Sequence, residues 1–184
     1  MPVDMKSIIA DTFLHMVQHG NIDKITVKAL IDACHISRQT FYYHFKDIMD
    51  VLEWSVQQAM QQLTEMSLKE KDMQSVLRVF VSFTVEHFPM IRKLMESQRR
   101  AQIEQIMIDG AGIYLRSMAR ERNRDVPVTY SDGEVLLRYN ACGLVGVLLM
   151  YGGKADLDQE RLASQLTKIL SKGVSSWEEK RPDQ

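Results

Sequence analysis

Apolar residues recur along the chain three and four positions apart, which is the period of an α-helix. Ile9, Phe13 and Val17 share one face of a first helix, and Gly20 is suited to end it. No stretch of useful length alternates between apolar and polar residues, so no strand is predicted. The pattern predicts an all-α protein of about nine helices.

The predicted helices differ in length along the chain. Thr26 and Ser37 can cap two short helices, and Asp47 can cap a long fourth helix. Pro89 is expected to interrupt the fifth helix, and the remaining periodic segments are long. Three short helices followed by long ones predict a helix-turn-helix domain of residues 1–47 and a helical regulatory bundle of residues 48–184.

A helix start is predicted close to residue 131. Ser131 and Glu134 have the spacing of a capping box, and Tyr130 and Val135 have the spacing of a hydrophobic staple. We therefore expect a helix over residues 132–151, followed by a last helix from about residue 158.

The first of these two helices contains an apolar run from Ala141 to Tyr151. One face of such a helix can be buried within the chain, but the opposite face needs a partner or becomes an exposed apolar patch. The run is too short to span a bilayer. We expect the two C-terminal helices to form a homodimer interface that comprises Gly143, Gly146, Val147, Met150, Leu162, Leu166, Ile169 and Leu170.

The overall charge gives little support to a nucleic-acid binder, because the formal net charge is -1. Residues 1–50 hold five basic side chains against six acidic ones. A nucleic-acid interface would therefore depend on the local placement of charge and not on the overall balance.

Cysteine and histidine spacings do not indicate a metal site. Cys34 and Cys142 lie in apolar helical patterns and are expected to be reduced, buried thiols of a cytoplasmic protein. His15 and His19 have no third ligand nearby, and the N-terminus has no signal-peptide pattern. No nucleophile elbow, phosphate loop or catalytic carboxylate pair occurs, so we expect neither an enzyme nor a cofactor.

The segment Thr26–Lys46 carries the most specific pattern in the chain. Two short helices are joined by a tight turn at residues 34–36, which is typical of a helix-turn-helix. With Ser37 as the N-cap of the second helix, a rotation of 100° per residue places Phe41 and Phe45 on its core face.

The other face of this second helix carries donors, acceptors and flat aromatic rings. Such groups suit a recognition helix in the major groove of DNA. Arg38 lies in the first turn, where recognition helices approach base edges, and Lys46 follows the helix and can reach a phosphate. The polar and aromatic face comprises Gln39, Thr40, Tyr42, Tyr43 and His44.

The run Ser37–Lys46, which reads SRQTFYYHFK, closely resembles the signature of TetR-family transcriptional regulators. The motif resemblance covers residues 5–63, and beyond them only the number and lengths of the helices agree. The run RQTFY, Trp54 and the segment 138–141 are similar to a divergent branch that includes activators of dihydroxyacetone kinase genes. The resemblance implies a bacterial, cytoplasmic regulator that binds duplex DNA as a homodimer at a palindromic operator.

The resemblance also assigns roles to ten residues. Positions that usually touch or bracket backbone phosphates are occupied here by Thr26, Lys28, Ser37, Tyr42, His44 and Lys46. Positions that usually read base edges are occupied by Arg38, Gln39, Thr40 and Tyr43.

Three residues depart from the family pattern. His35 stands where the family has a turn glycine, so it would have to adopt a positive φ, which histidine tolerates better than most residues. Gln39 replaces a small residue and adds a polar group that can contact a base. Ile48 replaces a lysine and removes one expected phosphate contact.

The sequence is compatible with two kinds of effector for such a regulator, a small molecule or a protein. Aromatic and histidine side chains could line a small-molecule cavity between the long helices, or they could be core residues of a regulator that responds to a protein partner. The candidate cavity residues are Trp54, Phe83, His87, Tyr114 and Tyr139. Arg99 and Arg100 are expected to be a solvated helix start.

Overall fold

The computed structural model describes residues 4–121 and 130–178. Within these ranges the chain forms eight α-helices and no strand, which confirms the all-α prediction and is close to the nine helices expected. The helices are α1 (Met5–His19), α2 (Val27–Cys34), α3 (Arg38–His44), α4 (Ile48–Ser67), α5 (Met73–Met95), α6 (Arg100–Glu121), α7 (Tyr130–Tyr151) and α8 (Gln159–Glu178). One turn of 3-10 helix at Ile22–Lys24 precedes α2.

The count falls below nine because Pro89 does not end a helix. It lies inside α5, which runs from Met73 to Met95, so the predicted interruption is wrong. Proline removes one N–H donor from a helix. Apolar side chains on both sides of it are nevertheless buried, among them Phe83 and Leu94. Their packing stabilises the helix despite the missing hydrogen bond.

The predicted helix caps of the N-terminal region are confirmed. The hydroxyl of Thr26 accepts a 3.1 Å hydrogen bond from the backbone N–H three residues later, and the hydroxyl of Ser37 does the same at 2.9 Å. One carboxylate oxygen of Asp47 accepts from two backbone N–H groups of α4, at 2.7 and 3.0 Å. These bonds satisfy donors that have no partner within a helix.

The start of α7 differs from the prediction. The helix includes Tyr130, so Ser131 lies in its first turn and is not an N-cap. The Glu134 carboxylate accepts a 2.9 Å hydrogen bond from the Arg116 guanidinium of α6, and this ion pair takes the place of the expected capping box. The side chain of Tyr130, predicted to form a staple with Val135, lies outside the described side chains.

The chain divides into two compact units. Unit 1 comprises Met1–Ala59 and Pro89–Ile106, and unit 2 comprises Met60–Phe88 and Met107–Gln184. Residues 47 and 48 both belong to unit 1, and the domain boundary between them stays a prediction.

The core of unit 1 is built from α1, α2, α3, the beginning of α4, the end of α5 and the beginning of α6. The predicted apolar face of α1 is completely buried, and one phenylalanine of α3 packs at the centre of the same core. Burying each such side chain stabilises the fold by about 1.5–3 kcal/mol. Side chains with no more than 1% exposure in this core include Ile9, Phe13, Val17, Leu30, Phe41, Val51, Leu52 and Ile103.

A hydrogen bond between two buried hydroxyl groups lies in the core of unit 2. Tyr114 of α6 is 1% exposed, its ring stacks on Phe80 with centroids 5.3 Å apart, and its hydroxyl lies 2.9 Å from Ser67 Oγ. A buried hydroxyl needs such a partner, because leaving it unsatisfied would cost about 1–3 kcal/mol. Apolar side chains buried in this unit include Leu63, Leu77, Val81, Ala141, Leu144, Leu148, Leu162 and Leu166.

Candidate nucleic-acid interface

The turn between α2 and α3 depends on a left-handed residue. His35 has φ 53° and ψ 41°, and it is the one non-glycine residue with a positive φ in the described parts of the chain. The N–H of Ile36 donates to the oxygen of Ile31 at 3.2 Å, so the end of α2 is closed as in a Schellman motif. The positive φ predicted for His35 is therefore confirmed.

Two phenylalanines hold α3 against the core. Phe41 is 0% exposed and Phe45 is 2% exposed, as predicted for the inner face. The ring of Phe45 packs edge-on against Trp54 at a centroid distance of 6.0 Å, and the Lys6 ammonium lies 5.4 Å from the same ring. Because these contacts fix the inner face of α3, only its outer face can meet another molecule.

The outer face of α3 is open to solvent. Tyr42 is 53% exposed and Tyr43 is 84% exposed. Arg38 and Gln39 are exposed in the first turn, and His44 is half-buried at the end. Large aromatic rings at such exposure make little apolar contact with the rest of the chain, so this face is suited to a binding partner.

Hydroxyl groups at the start of α3 are partly engaged within the chain. Ser37 Oγ lies 2.8 Å from Thr40 Oγ1 and also caps the helix. Thr26 caps α2 in the same way. A capping hydroxyl uses a lone pair, and where its O–H is free it can donate to a phosphate oxygen. Lys28, two residues after Thr26, and Lys46, two residues after the end of α3, are both exposed.

Acidic side chains near α3 accept hydrogen bonds from the protein itself. Asp47 caps α4, and Asp50 accepts from the Lys46 backbone N–H at 2.8 Å. The hydrogen bond from the Ser7 hydroxyl holds the pKa of Asp4 below its usual value, and the charge of His44 acts in the same direction. Carboxylates at helix N-termini are matched by the helix dipole. This placement reduces the conflict between the acidic balance of residues 1–50 and a DNA interface.

The five candidate cavity residues lie in both units. Trp54 belongs to unit 1, and the other four belong to unit 2. Phe83 and His87 stack with centroids 4.3 Å apart, whereas Tyr114 is buried and Tyr139 is 71% exposed. Their assignment to one ligand cavity stays a prediction.

The eight residues predicted for a homodimer interface differ in exposure. Leu162 and Leu166 are buried within the chain, at 7% and 4% exposure. Apart from the adjacent residues and the nearby backbone of its own helix, a Cβ added to Gly143 or Gly146 would meet no atom within 4 Å. Exposed or half-buried members of the set are Gly143, Gly146, Val147, Met150, Ile169 and Leu170.

An exposed stripe along α7 extends this set. Val135 and Tyr139 are 64% and 71% exposed, Cys142 is also exposed, and Met150 is 73% exposed. Together with Gly146 they recur every three or four residues, so they share one face of the helix. We call these five residues the α7 stripe. Val135 and Tyr139 were not predicted as interface residues, although their helical spacing from Gly146 and Met150 could have identified them.

The burial of the two cysteines differs from the prediction. Cys142 is exposed and Cys34 is half-buried, so neither is the fully buried thiol expected from its apolar surroundings. In a helix that is apolar all round, the sequence does not indicate which face is turned inward.

α7 passes a length and composition test for a membrane span. Residues 131–151 have a mean hydropathy of 1.3, and 22% of the tested window is buried; α7 is the one such helix in the described ranges. Two of its charged residues pair with α6: Arg138 with Asp109, and Glu134 with Arg116. The hydrogen bond to Asp109 raises the pKa of Arg138 above its usual value.

Histidine and acidic residues do not gather into a metal site in the part of the chain that the structure describes. His15 and His19 are neighbours, with ring centroids 4.3 Å apart, and His19 Nδ1 lies 2.9 Å from the His15 backbone oxygen.

Comparisons with known proteins support the fold. No family model and no curated protein matches the sequence. The solved structure of the dihydroxyacetone kinase operon activator DhaS matches with a TM-score of 0.61 and 19% identity, covering 93% of this chain and 96% of that chain. A TetR-family regulator from Streptomyces coelicolor matches with a TM-score of 0.60 and 16% identity, covering 93% and 83%.

A third solved structure extends the comparison. The TetR-family repressor AlkX from Dietzia sp. strain DQ12-45-1b matches with a TM-score of 0.56 and 13% identity, covering 92% of this chain and 97% of that chain. These likenesses extend over both units of the chain. The chain therefore has the fold of TetR-family transcriptional regulators, as the motif at Ser37–Lys46 predicted.

Proposed function

We propose that the chain is a sequence-specific DNA-binding transcriptional regulator that acts as a homodimer. One observation carries the proposal: α3 follows a left-handed turn at His35, buries Phe41 and Phe45, and exposes Arg38, Gln39 and two tyrosines. That combination is what a helix in the major groove requires. A structural helix of the same length would gain nothing from Tyr43 at 84% exposure.

The proposed contacts fall into two classes. Arg38, Gln39, Thr40 and Tyr43 read base edges, where an arginine can pair bidentately with guanine and a glutamine with adenine. Phosphate contacts set the register of the protein on the duplex without reading sequence. They are assigned to Thr26, Lys28, Ser37, Tyr42, His44 and Lys46.

The homodimer is supported by the α7 stripe. Its five residues expose apolar surface along the whole helix, and two glycines on or beside it leave room for a second backbone. A second copy of the chain would cover this surface, and obligate interfaces of this kind bury about 2,000 Å² or more. Leu162 and Leu166 support α8 from within, while Ile169, at 59% exposure, is available to the partner.

A bilayer is the other environment that could cover α7, and the ion pairs of this helix argue against it. Glu134 and Arg138 lie in its first half and bind charged residues of α6. Ionised side chains inside a membrane are expensive. We therefore assign the protein to the cytoplasm, where duplex DNA is accessible.

We further propose that an effector bound by the C-terminal domain controls the regulator. The stack of Phe83 and His87 supports this proposal, because aromatic side chains commonly line small-molecule sites. The alternative is a protein effector, which is favoured if the space beside this stack is filled by the chain itself. No catalytic activity is proposed, because the solved structures that share the fold are described as transcriptional regulators.

The proposal is tested by selecting fragments of the source genome on the immobilised protein at low salt. Wild type should retain a small set of fragments that share a two-fold symmetric sequence. Arg38→Ala should lose that enrichment, whereas Arg120→Ala, which removes an exposed arginine from unit 2, should keep it. Failure of the wild type to retain any fragment would overturn the proposal.

A further inference from the structure

The segment between α5 and α6 is fixed to the turn before the helix-turn-helix by several bonds. The Ser97 hydroxyl donates to Asp23 Oδ1 at 2.6 Å, and the backbone N–H of Gln98 donates to Asp23 Oδ2 at 2.9 Å. The Lys93 ammonium donates to the backbone oxygen of Gln18. All of these residues belong to unit 1, so the segment and the N-terminal helices pack as one body.

Residues 89–106 make the net charge of unit 1 less negative. Residues 89–106 carry four basic side chains and two acidic ones, whereas residues 1–59 carry five basic and seven acidic. Arg99 and Arg100 are both exposed, and so is Lys24 next to Asp23. Asp23 accepts the hydrogen bonds from Ser97 and Gln98, which lower its pKa, and the nearby charge of Arg99 acts in the same direction.

The two arginines are held close to a predicted phosphate contact. Asp23 lies three residues before Thr26, the N-cap of α2, and three residues of chain span at most about 10 Å. Gln98, bonded to Asp23, directly precedes Arg99. Two long, exposed cationic side chains therefore follow directly after a residue that is bonded to the turn before α2.

We propose that Arg99 and Arg100 form an auxiliary phosphate-binding site that extends the DNA interface beyond the helix-turn-helix. The inference rests on the proposed function. It assigns DNA phosphates as the partners of two arginines that the sequence alone predicted to be a solvated helix start. The site supplies positive charge that residues 1–59 lack, and it compensates for Ile48, which cannot bind a phosphate as a lysine would. Guanidinium groups suit this role because they bind phosphate oxygens bidentately.

The test compares the double variant R99A/R100A with wild type on a duplex recovered by the genomic selection. Dissociation constants are measured by fluorescence anisotropy at salt concentrations between about 50 and 200 mM. Removal of one phosphate-binding side chain should make the slope of log K against log salt shallower by roughly one unit. We therefore expect a slope up to about four units shallower per dimer, with base preference unchanged.

A matched control removes the same charge elsewhere. R120A/R161A deletes two exposed arginines of unit 2 and should leave the salt slope at the wild-type value. Phosphate ethylation interference gives a second readout, because phosphates outside each half-site should interfere with wild type and not with R99A/R100A.

The outcomes distinguish a failure of the auxiliary site from a failure of the proposed function. If wild type binds the duplex and R99A/R100A keeps the wild-type slope and ethylation pattern, the auxiliary site is overturned and the role of the helix-turn-helix stands. If both double variants shift the slope equally, the effect is one of net charge and the site is again overturned. If wild type binds no duplex at low salt, the proposed function and this inference fall together.

Discussion

At the scale of single residues, the roles in the recognition segment can be separated by their dependence on sequence and salt. Gln39→Ala should cost about 1–3 kcal/mol at particular base pairs, because a paired base edge loses its partner. Lys46→Ala should weaken binding to all sequences alike and make the salt slope shallower by about one unit per contact. Anisotropy titrations against single-base operator variants would reveal a wrong assignment if Lys46→Ala altered base preference at constant slope.

His35 provides a residue-scale test of the turn. A left-handed conformation costs a residue with a Cβ about 1–2 kcal/mol, and glycine avoids most of this cost. His35→Gly should therefore raise the free energy of unfolding by up to about 1 kcal/mol, and His35→Val should lower it. Urea denaturation measures both, and a stabilised His35→Val variant would contradict the φ of 53°.

The residue-scale features that the sequence predicted are local ones. Thr26, Ser37 and Asp47 were identified as caps because a cap depends on backbone groups two or three residues away. The positive φ of His35 was expected because the family that the motif resembles has a glycine at this position of the turn. The hydrogen bond between Asp23 and Ser97 was not predictable, because it joins residues 74 apart in sequence.

At the scale of elements, that hydrogen bond links the turn before α2 to the turn before α6, and its strength should depend on pH. The folded pKa of Asp23 lies below the ordinary value of 3.8. A lowered carboxyl pKa stabilises the folded state above the unfolded pKa, and the contribution is lost as pH falls through the folded pKa. Asp23→Asn should therefore melt at a lower temperature than wild type near neutral pH.

The effect of Asp23→Asn on the melting temperature should disappear in acid. The difference in melting temperature between wild type and Asp23→Asn should shrink as the pH falls below 3.8. Circular dichroism melts at several pH values measure it. A difference that stays constant through this acid range would show that the carboxylate charge does not contribute.

The turn after α7 makes a further element-scale prediction. The Phe88 ring lies where a Cβ on Gly152 would be 2.6 Å from Phe88 Cδ2, while Gly112 of α6 has open space around it. Gly152→Ala should lower the free energy of unfolding by about 1–3 kcal/mol through overpacking. Gly112→Ala serves as the control, because it adds the same methyl group where no neighbour is close, and equal effects of the two variants would argue against the close approach of Phe88.

Elements were predictable where periodicity was strong and one-sided. The inner faces of α1 and α3 followed from spacing, as did the existence of α7 and α8. The continuity of α5 through Pro89 did not, because burial on both sides of a proline is a property of tertiary packing. The orientation of α7 was equally hidden, since a helix that is apolar all round has no preferred inner face.

At the scale of the whole molecule, the α7 stripe predicts an obligate dimer. Met150→Glu places a carboxylate on a residue that is 73% exposed in the single chain, so folding of the chain should be preserved. In the dimer that carboxylate would be buried without a partner, so the mutant should become monomeric. Leu68→Glu, at a residue 40% exposed outside the stripe, is the matched control.

Sedimentation of the three proteins at micromolar concentration measures this prediction directly. DNA affinity should fall with the dimer, because the two half-sites would no longer be linked. A dimeric Met150→Glu protein with normal DNA affinity would place the interface elsewhere. A monomeric wild type would remove the proposed explanation of the exposed apolar face.

The central claim is that the outer face of α3 reads DNA in two copies. Hydroxyl-radical footprinting of a recovered genomic fragment tests it most directly, with wild type and with Q39A/Y43A. Wild type should protect two half-sites whose centres lie about 34–36 Å apart, or a multiple of this distance, and Q39A/Y43A should lose both together. Protection without two-fold symmetry, or protection that Q39A/Y43A retains unchanged, would contradict the claim.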